Sequence, residues 1–173
     1  IPSFRLASDV VDFEVEFIKK LGVKFECNSY IDDYKKLFDD GFGAIFIATG
    51  LIKSKDSLID GSYKKGVYGA MDFLYSIKQN NLDDLGDDIA VIGGGDTAMD
   101  VARVAVRKGK CATVIYRRSR SDMPAYDEDI DDAWKEGAEF RFLTVPLEII
   151  GGENVEGIRC TRIKWKIPKG GSS

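Results

Sequence analysis

The chain contains no histidine. That removes Ser-His-Asp triads, imidazole general bases and histidine-ligated metals from consideration. Cysteine is scarce as well: Cys27, Cys111 and Cys160 lie far apart, and no C-x-x-C spacing occurs. A redox-active dithiol, or a cysteine-held zinc or iron–sulfur centre within the chain, is therefore not expected. Isolated cysteines in an acidic chain pack as small apolar residues. No apolar run approaches the ~18 residues needed to cross a bilayer, and no basic-then-apolar leader is present. The expected setting is a reducing cytoplasm. Excess positive charge is missing too, since 25 Lys+Arg stand against 29 Asp+Glu for a net charge of −4. This excludes a chain built mainly to grip nucleic acid phosphates, and leaves room for local basic clusters that hold a small one. The first residue is Ile1 rather than Met, which suggests a piece of something larger.

What is present suits one domain, or one and a fraction: 173 residues, 44% of them hydrophobic. Ser8 to Gly22 reads as an amphipathic helix with Val11, Val15, Ile18 and Leu21 on one face. Asp9, Asp12 and Glu14 crowd its start, Lys19 and Lys20 its end, and Gly22 stops it. The pattern then predicts a strand over Val23–Ile31, a short helix near Tyr34–Asp39 and a strand over Ala44–Ala48, ending at Thr49-Gly50. Leu51–Gly66 looks like a connector with little core of its own. A helix is expected over Gly69–Gln79, with Ala70, Phe73, Leu74 and Ile77 at helical spacing, followed by a polar loop.

The pattern sharpens from Ile89. A buried strand, Ile89–Ile92, leads through Gly93-Gly94-Gly95 into a helix over Thr97–Lys108, whose inward face is Ala98, Val101, Ala102 and Ala105. Gly109 ends that helix, and strand Ala112–Tyr116 follows. Pro124 suits the first turn of the next helix, with Asp127, Glu128 and Asp129 near its start, Lys135 near its end and Gly137 as its stop. Strand Glu139–Phe142 completes β-α-β-α-β. Pro146–Ile150 and Val155–Ile167 read as a β-hairpin around Gly151-Gly152-Glu153-Asn154. Trp134 and Trp165 read as core or packing residues. The acidic run Asp127–Asp132 spreads around a helix and reads as a solvated face rather than a metal site.

Gly93 to Ala98 fits G-x-G-x-x-A directly after a strand and at a helix start. Gly93 permits the tight turn, Gly95 lets backbone approach a pyrophosphate, and Ala98 allows close helix–strand packing. The first N–H groups of the helix and its positive dipole end then face the phosphates. Asp96 either reaches ribose or nicotinamide through water or serves as a helix cap. Arg117 lies 24 positions beyond Gly93, where dinucleotide folds place the residue that reads the ribose. NAD sites, and methyltransferases that share the glycine turn, want an acid there. This chain instead has Tyr116-Arg117-Arg118-Ser119-Arg120, and guanidinium groups pair with a 2′-phosphate. NADP(H) is expected over NAD(H).

These residues together resemble the NADPH-binding portion of the glutamate synthase small-subunit family, which includes the electron-entry modules of dihydropyrimidine dehydrogenase and related FAD-dependent oxidoreductases. The resemblance runs through nearly the whole chain. It rests on Ile1-Pro2-Ser3-Phe4-Arg5-Leu6, Ala44–Gly50 with its Ala48-Thr49-Gly50 motif, Gly93–Asp100, Tyr116–Arg120, Met123-Pro124-Ala125 and Glu136–Phe140. It implies an α/β, Rossmann-like three-layer NAD(P)-binding domain over 51–173, with a parallel sheet plus a β-hairpin. Residues 1–50 would be a partial FAD-domain segment. It also implies NADP(H) as cofactor, FAD in the intact protein, and an iron–sulfur or flavin partner that accepts electrons. Gly93, Gly94, Gly95 and Thr97 would cradle the pyrophosphate, Arg117, Arg118 and Arg120 would read the 2′-phosphate, and Ala48, Thr49 and Gly50 would lie near flavin. The family's FAD fingerprint and iron–sulfur cysteine clusters are not within these 173 residues, so the expectation is a fragment not active alone.

Two other classes compete. A non-catalytic nucleotide-binding module would leave the Ala48-Thr49-Gly50 exit strand without purpose. A dehydrogenase with its own substrate site lacks histidine, a Tyr-x-x-x-Lys pair and a spare domain.

Overall fold

A computed structural model describes residues 1–50, 58–82 and 85–164. The chain divides into two compact units, Ile1–Ile52 and Lys53–Ser173. Among the described residues no helix is long and apolar enough to cross a membrane.

The first unit contains α1 (Ser8–Lys20) and the single turn α2 (Lys36–Asp39). Helix α1 has the charge order its dipole favours, Asp9 in the first turn and Lys19 and Lys20 in the last, and Lys19 pairs with Glu16 at 2.7 Å. The strands expected at 23–31 and 44–48 do not form. An extended segment becomes a strand only when a neighbour completes its ladder, and no described residue of this unit supplies one.

The second unit carries the α/β, Rossmann-like rhythm read from the sequence. After α3 (Ala70–Lys78) come β1 (Asp88–Ile92), α4 (Asp96–Arg107), β2 (Cys111–Ile115), a 3₁₀ turn (Arg120–Asp122), α5 (Asp127–Glu136) and β3 (Glu139–Arg141). The three strands form a parallel sheet in the order β1-β2-β3, with Asp88 opposite Cys111 and Thr113 opposite Glu139. Each crossover carries one α-helix, which gives the length that parallel pairing needs. Only Val91 of β1 is buried, and Ile92 is exposed. The continuous apolar run suggests a buried strand, but β1 stands at the edge of the described sheet.

Helix α4 is the hub, contacting β1, β2, α3 and α5. Ala98, Ala102 and Ala105 are buried with Met99, Val101 and Val104. Small side chains bring the helix close to the sheet, and the branched ones fill the gaps. Phe73 of α3, Ile130 and Ala133 of α5, and Ala112, Val114 and Ile115 of β2 complete the core. Trp134, 54% exposed, is a packing residue at the rim. It stacks on Phe140 at 5.3 Å, and Phe140 stacks on Phe142 at 5.6 Å. Trp165 lies outside the described residues.

A two-stranded antiparallel sheet follows, β4 (Thr144–Ile150) with β5 (Gly157–Arg162). Pro146 has no N–H for the ladder, and the register shifts between Pro146 and Glu148. The end of the connector is not idle. Asp60 and Lys65 bridge to Glu148 and Asn154, the Ile149 N–H donates to the Asp60 carbonyl at 2.8 Å, and Lys64 Nζ donates to the Gly151 and Gly152 carbonyls. Gly61, at φ +83°, runs so close that a Cβ would lie 2.2 Å from the Ile149 carbonyl oxygen.

Candidate dinucleotide site

The site is built where β1 turns into α4. Gly93 has φ +142°, and its N–H donates to the Ile115 carbonyl at 3.2 Å, closing the turn against β2. Gly95 is the N-cap of α4 in extended backbone (φ −92°, ψ 174°), and no side chain caps the helix. The Ala98 and Met99 amides donate to the Gly95 carbonyl. The amides of Gly94, Gly95, Asp96 and Thr97 have no acceptor among the described residues. Unfilled donors at the positive end of a twelve-residue helix are the donor set that an anion cradle needs.

The three glycines are needed for different reasons. Gly94 is buried beneath the Tyr116 ring, where a Cβ would fall 2.7 Å from Cδ2 and Cε2. Gly95 has an ordinary φ, and a Cβ there would meet only Pro124 Cγ, at 3.9 Å. Nothing among the described residues requires glycine at Gly95, whereas a ligand drawn close to the backbone would. Ala98 is buried against the Gly93 turn, and Thr97 is exposed.

Asp96 accepts a hydrogen bond from the Tyr126 N–H at 3.1 Å on Oδ1. Its carboxylate therefore does not cap its own helix but holds the N-cap residue of α5. The Ala125 N–H donates to the Gly94 carbonyl at 3.1 Å, a second tie between the same segments. Pro124 sits in this tied stretch rather than in the first turn of α5, which begins at Asp127. The residue before a proline is driven to extended backbone, and Met123 (φ −70°, ψ 132°) adopts it.

The arginine segment leaves the end of β2. Its backbone is pinned by β3 and the start of β4: Tyr116 donates to the Arg141 carbonyl, while the carbonyls of Tyr116 and Arg118 accept from Thr144 and Leu143. The Tyr116 hydroxyl donates to the Asp122 carbonyl at 2.6 Å. Ser119 and Asp122 form a reciprocal capping box around the 3₁₀ turn. The Ser119 hydroxyl holds the Asp122 carboxyl below the usual carboxylate range, with Arg118 adding to the effect. Arg117 and Arg118 are exposed, and no described residue bonds the Arg117 side chain. Arg120, by contrast, pairs through Nη2 with Asp131 Oδ1 of α5.

An ion-pair clamp that the sequence reading does not single out stands behind the cradle. Arg103 of α4 is 8% exposed, and its Nη2 lies 2.7 Å from Glu136 and 3.3 Å from Asp132 on α5. Arg107 bonds the same Glu136 carboxylate at 2.7 and 2.8 Å. Hydrogen bonding from Arg107 and then Arg103 holds the Glu136 carboxyl down at about 2, against an ordinary 4.5. The spacing of Arg103 and Arg107 against Asp129, Asp132 and Glu136 was the available signal. Ala48, Thr49 and Gly50 are exposed in the first unit, with Gly50 at φ +72°.

Residues 5–164 match the model of the pyridine nucleotide-disulphide oxidoreductase family. The chain is 37% identical over 176 residues to the NADP(+)-dependent formate dehydrogenase subunit beta of Moorella thermoacetica, covering 97% of this chain and 25% of that one. It is 31% identical over 185 residues to the glutamate synthase (NADPH) small chain of Escherichia coli K12, covering 97% and 39%. The chain spans less than half the length of the curated relatives it matches. Among solved structures it is similar in fold to Mycobacterium tuberculosis FprA in complex with NADPH. There the TM-score is 0.55 at 21% identity, over 72% of this chain and 44% of that one.

Proposed function

Because this chain belongs to the pyridine nucleotide-disulphide oxidoreductase family, we propose that it is the NADP(H)-binding part of an FAD-dependent oxidoreductase of the glutamate synthase small-subunit kind. In this reading residues 51–173 hold the dinucleotide and residues 1–50 belong to a flavin domain completed by chain outside these 173 residues. The carrying observation is the α4 N-terminus: four amides without an acceptor among the described residues, beside a Gly95 that the packing of those residues does not require.

When bound, NADPH supplies a hydride from nicotinamide C4 to flavin, from which an iron–sulfur or flavin partner draws electrons. The chain's own residues bind and orient. Gly93 shapes the turn, and the amides of Gly94, Gly95, Asp96 and Thr97 face the pyrophosphate. Ala98 allows the close packing of α4 that aims them. Arg117 and Arg118, with Arg120 alongside, read the 2′-phosphate. Ala48, Thr49 and Gly50 line the flavin side in the intact protein. The Asp96 carboxylate acts through the loop it holds, while the Asp96 amide serves the nucleotide. No side chain is needed as acid or base, because hydride transfer moves no separate proton. A cytoplasmic setting belongs to the same reading.

Calorimetric titration with NADPH and NADH tests it. Losing the 2′-phosphate removes at least one charge-assisted contact, roughly 1.5–3 kcal/mol, so NADPH should bind more than about tenfold tighter. Equal affinities would overturn the arginine assignment. Binding of neither would overturn the assignment of the glycine turn as a nucleotide site.

A further inference from the structure

The three arginines are not equivalent. Arg117 has no bonded partner among the described residues, and Arg118 lies near Asp122 without a hydrogen bond to it. Arg120 is held by Asp131, which stands on α5 rather than on the arginine segment. The acids of α5 separate by face. Asp129, Asp132 and Glu136, spaced three and four apart, turn toward Arg103 of α4, whereas Asp131 turns toward the 3₁₀ turn that carries Arg120.

Resting on the functional reading above, we propose that Asp131 is a specificity-setting residue: a built-in carboxylate that occupies Arg120 and competes with the 2′-phosphate for its guanidinium. The competition follows from charge. A 2′-phosphate reaching Arg120 comes within a few ångströms of the Asp131 carboxylate, and like charges at that distance repel measurably even in a water-like dielectric. Both partners are about half exposed, at 46% and 48%, so their pairing is weak enough to be exchanged for a dianion. Arg120 therefore acts as a held reserve, with Arg117 and Arg118 making the first contact. Asp131 lowers affinity for the phosphorylated nucleotide and leaves the unphosphorylated one untouched.

The test is titration of the full 173-residue chain and its Asp131→Asn variant with 2′,5′-ADP and with 5′-AMP, at low and at physiological salt. Asp127→Asn, an exposed acid on the same helix that pairs with no cation among the described residues, controls for net charge. Asp131→Asn should tighten 2′,5′-ADP about three- to tenfold, leave 5′-AMP unchanged, and lose most of its gain as salt rises. Asp127→Asn should shift both ligands by less than about twofold. A wild-type preference for 2′,5′-ADP that Asp131→Asn leaves unchanged or weakens would overturn this inference alone. An equal gain in Asp127→Asn would also overturn it, by showing a net-charge effect. Failure of wild type and variant alike to prefer 2′,5′-ADP over 5′-AMP would overturn the functional reading and this inference together.

Discussion

Replacing Glu136 by Gln tests the clamp that ties α5 to the cradle helix. The carboxylate takes hydrogen bonds from Arg107 and Arg103, and its carboxyl is held at about 2 instead of 4.5. That depression corresponds to roughly 3 kcal/mol of stability at neutral pH. The Glu136 side chain keeps 22% exposure, and Asp132 lies 3.3 Å from Arg103 as a substitute partner. Solvent screening and that substitute bring the expected cost of Glu136→Gln to about 2 kcal/mol. The sign follows from the direction of the shift. A carboxyl depressed in the folded state contributes fully above its unfolded value, near 4.5, and loses its contribution as pH falls toward about 2. Urea unfolding of both proteins between pH 7 and pH 2.5 should show a gap constant down to pH 5 that closes steadily below pH 4.5. A gap that stays constant to pH 2.5, or one below about 0.5 kcal/mol at pH 7, would refute the clamp as the source of the stability.

Three further expectations follow from the geometry. Gly94→Ala forces a Cβ into the Tyr116 ring, which its hydroxyl pins to the Asp122 carbonyl, and should cost about 1–3 kcal/mol in chemical denaturation. Combining it with Tyr116→Ala should cost clearly less than the sum of the two, and strict additivity would count against the contact. Gly61→Ala, with φ +83° and a Cβ 2.2 Å from the Ile149 carbonyl oxygen, should destabilise the connector–hairpin contact by about 1–3 kcal/mol, while a neutral result would argue that the contact is dispensable. Arg117→Ala should weaken NADPH about tenfold and shallow its salt dependence, with NADH unaffected, as read by the same titrations.

The glycine turn and its two flanking strands were legible because local rules determine them. A strand, a turn that only glycine accepts and a helix with a small-residue face follow one another within about twenty residues. Gly137 marked the end of α5 for the same reason, at φ +112°. The segments at 23–31 and 44–48 carry strand-like composition, but strand formation belongs to a pair, and composition does not identify the partner. Buried contacts between distant positions were illegible too. Tyr116 lies over a glycine 22 positions away, and Arg103 on the inward side of α4 reads as a solvent-facing charge until α5 is seen beside it. The role of Asp96 could not be chosen from sequence because its partner is a backbone N–H thirty residues on.

The order β1-β2-β3 also bears on how the cradle assembles. Every strand pairs with its immediate successor, Asp88 with Cys111 and Thr113 with Glu139, so no loop longer than about 25 residues must close before the parallel sheet exists. Parallel sheets fold slowly when their neighbours are distant in the chain, and this one avoids that delay. During synthesis, the turn at Gly93–Gly95 can gain its support as soon as residue 144 clears the ribosome, before β5 has paired with β4.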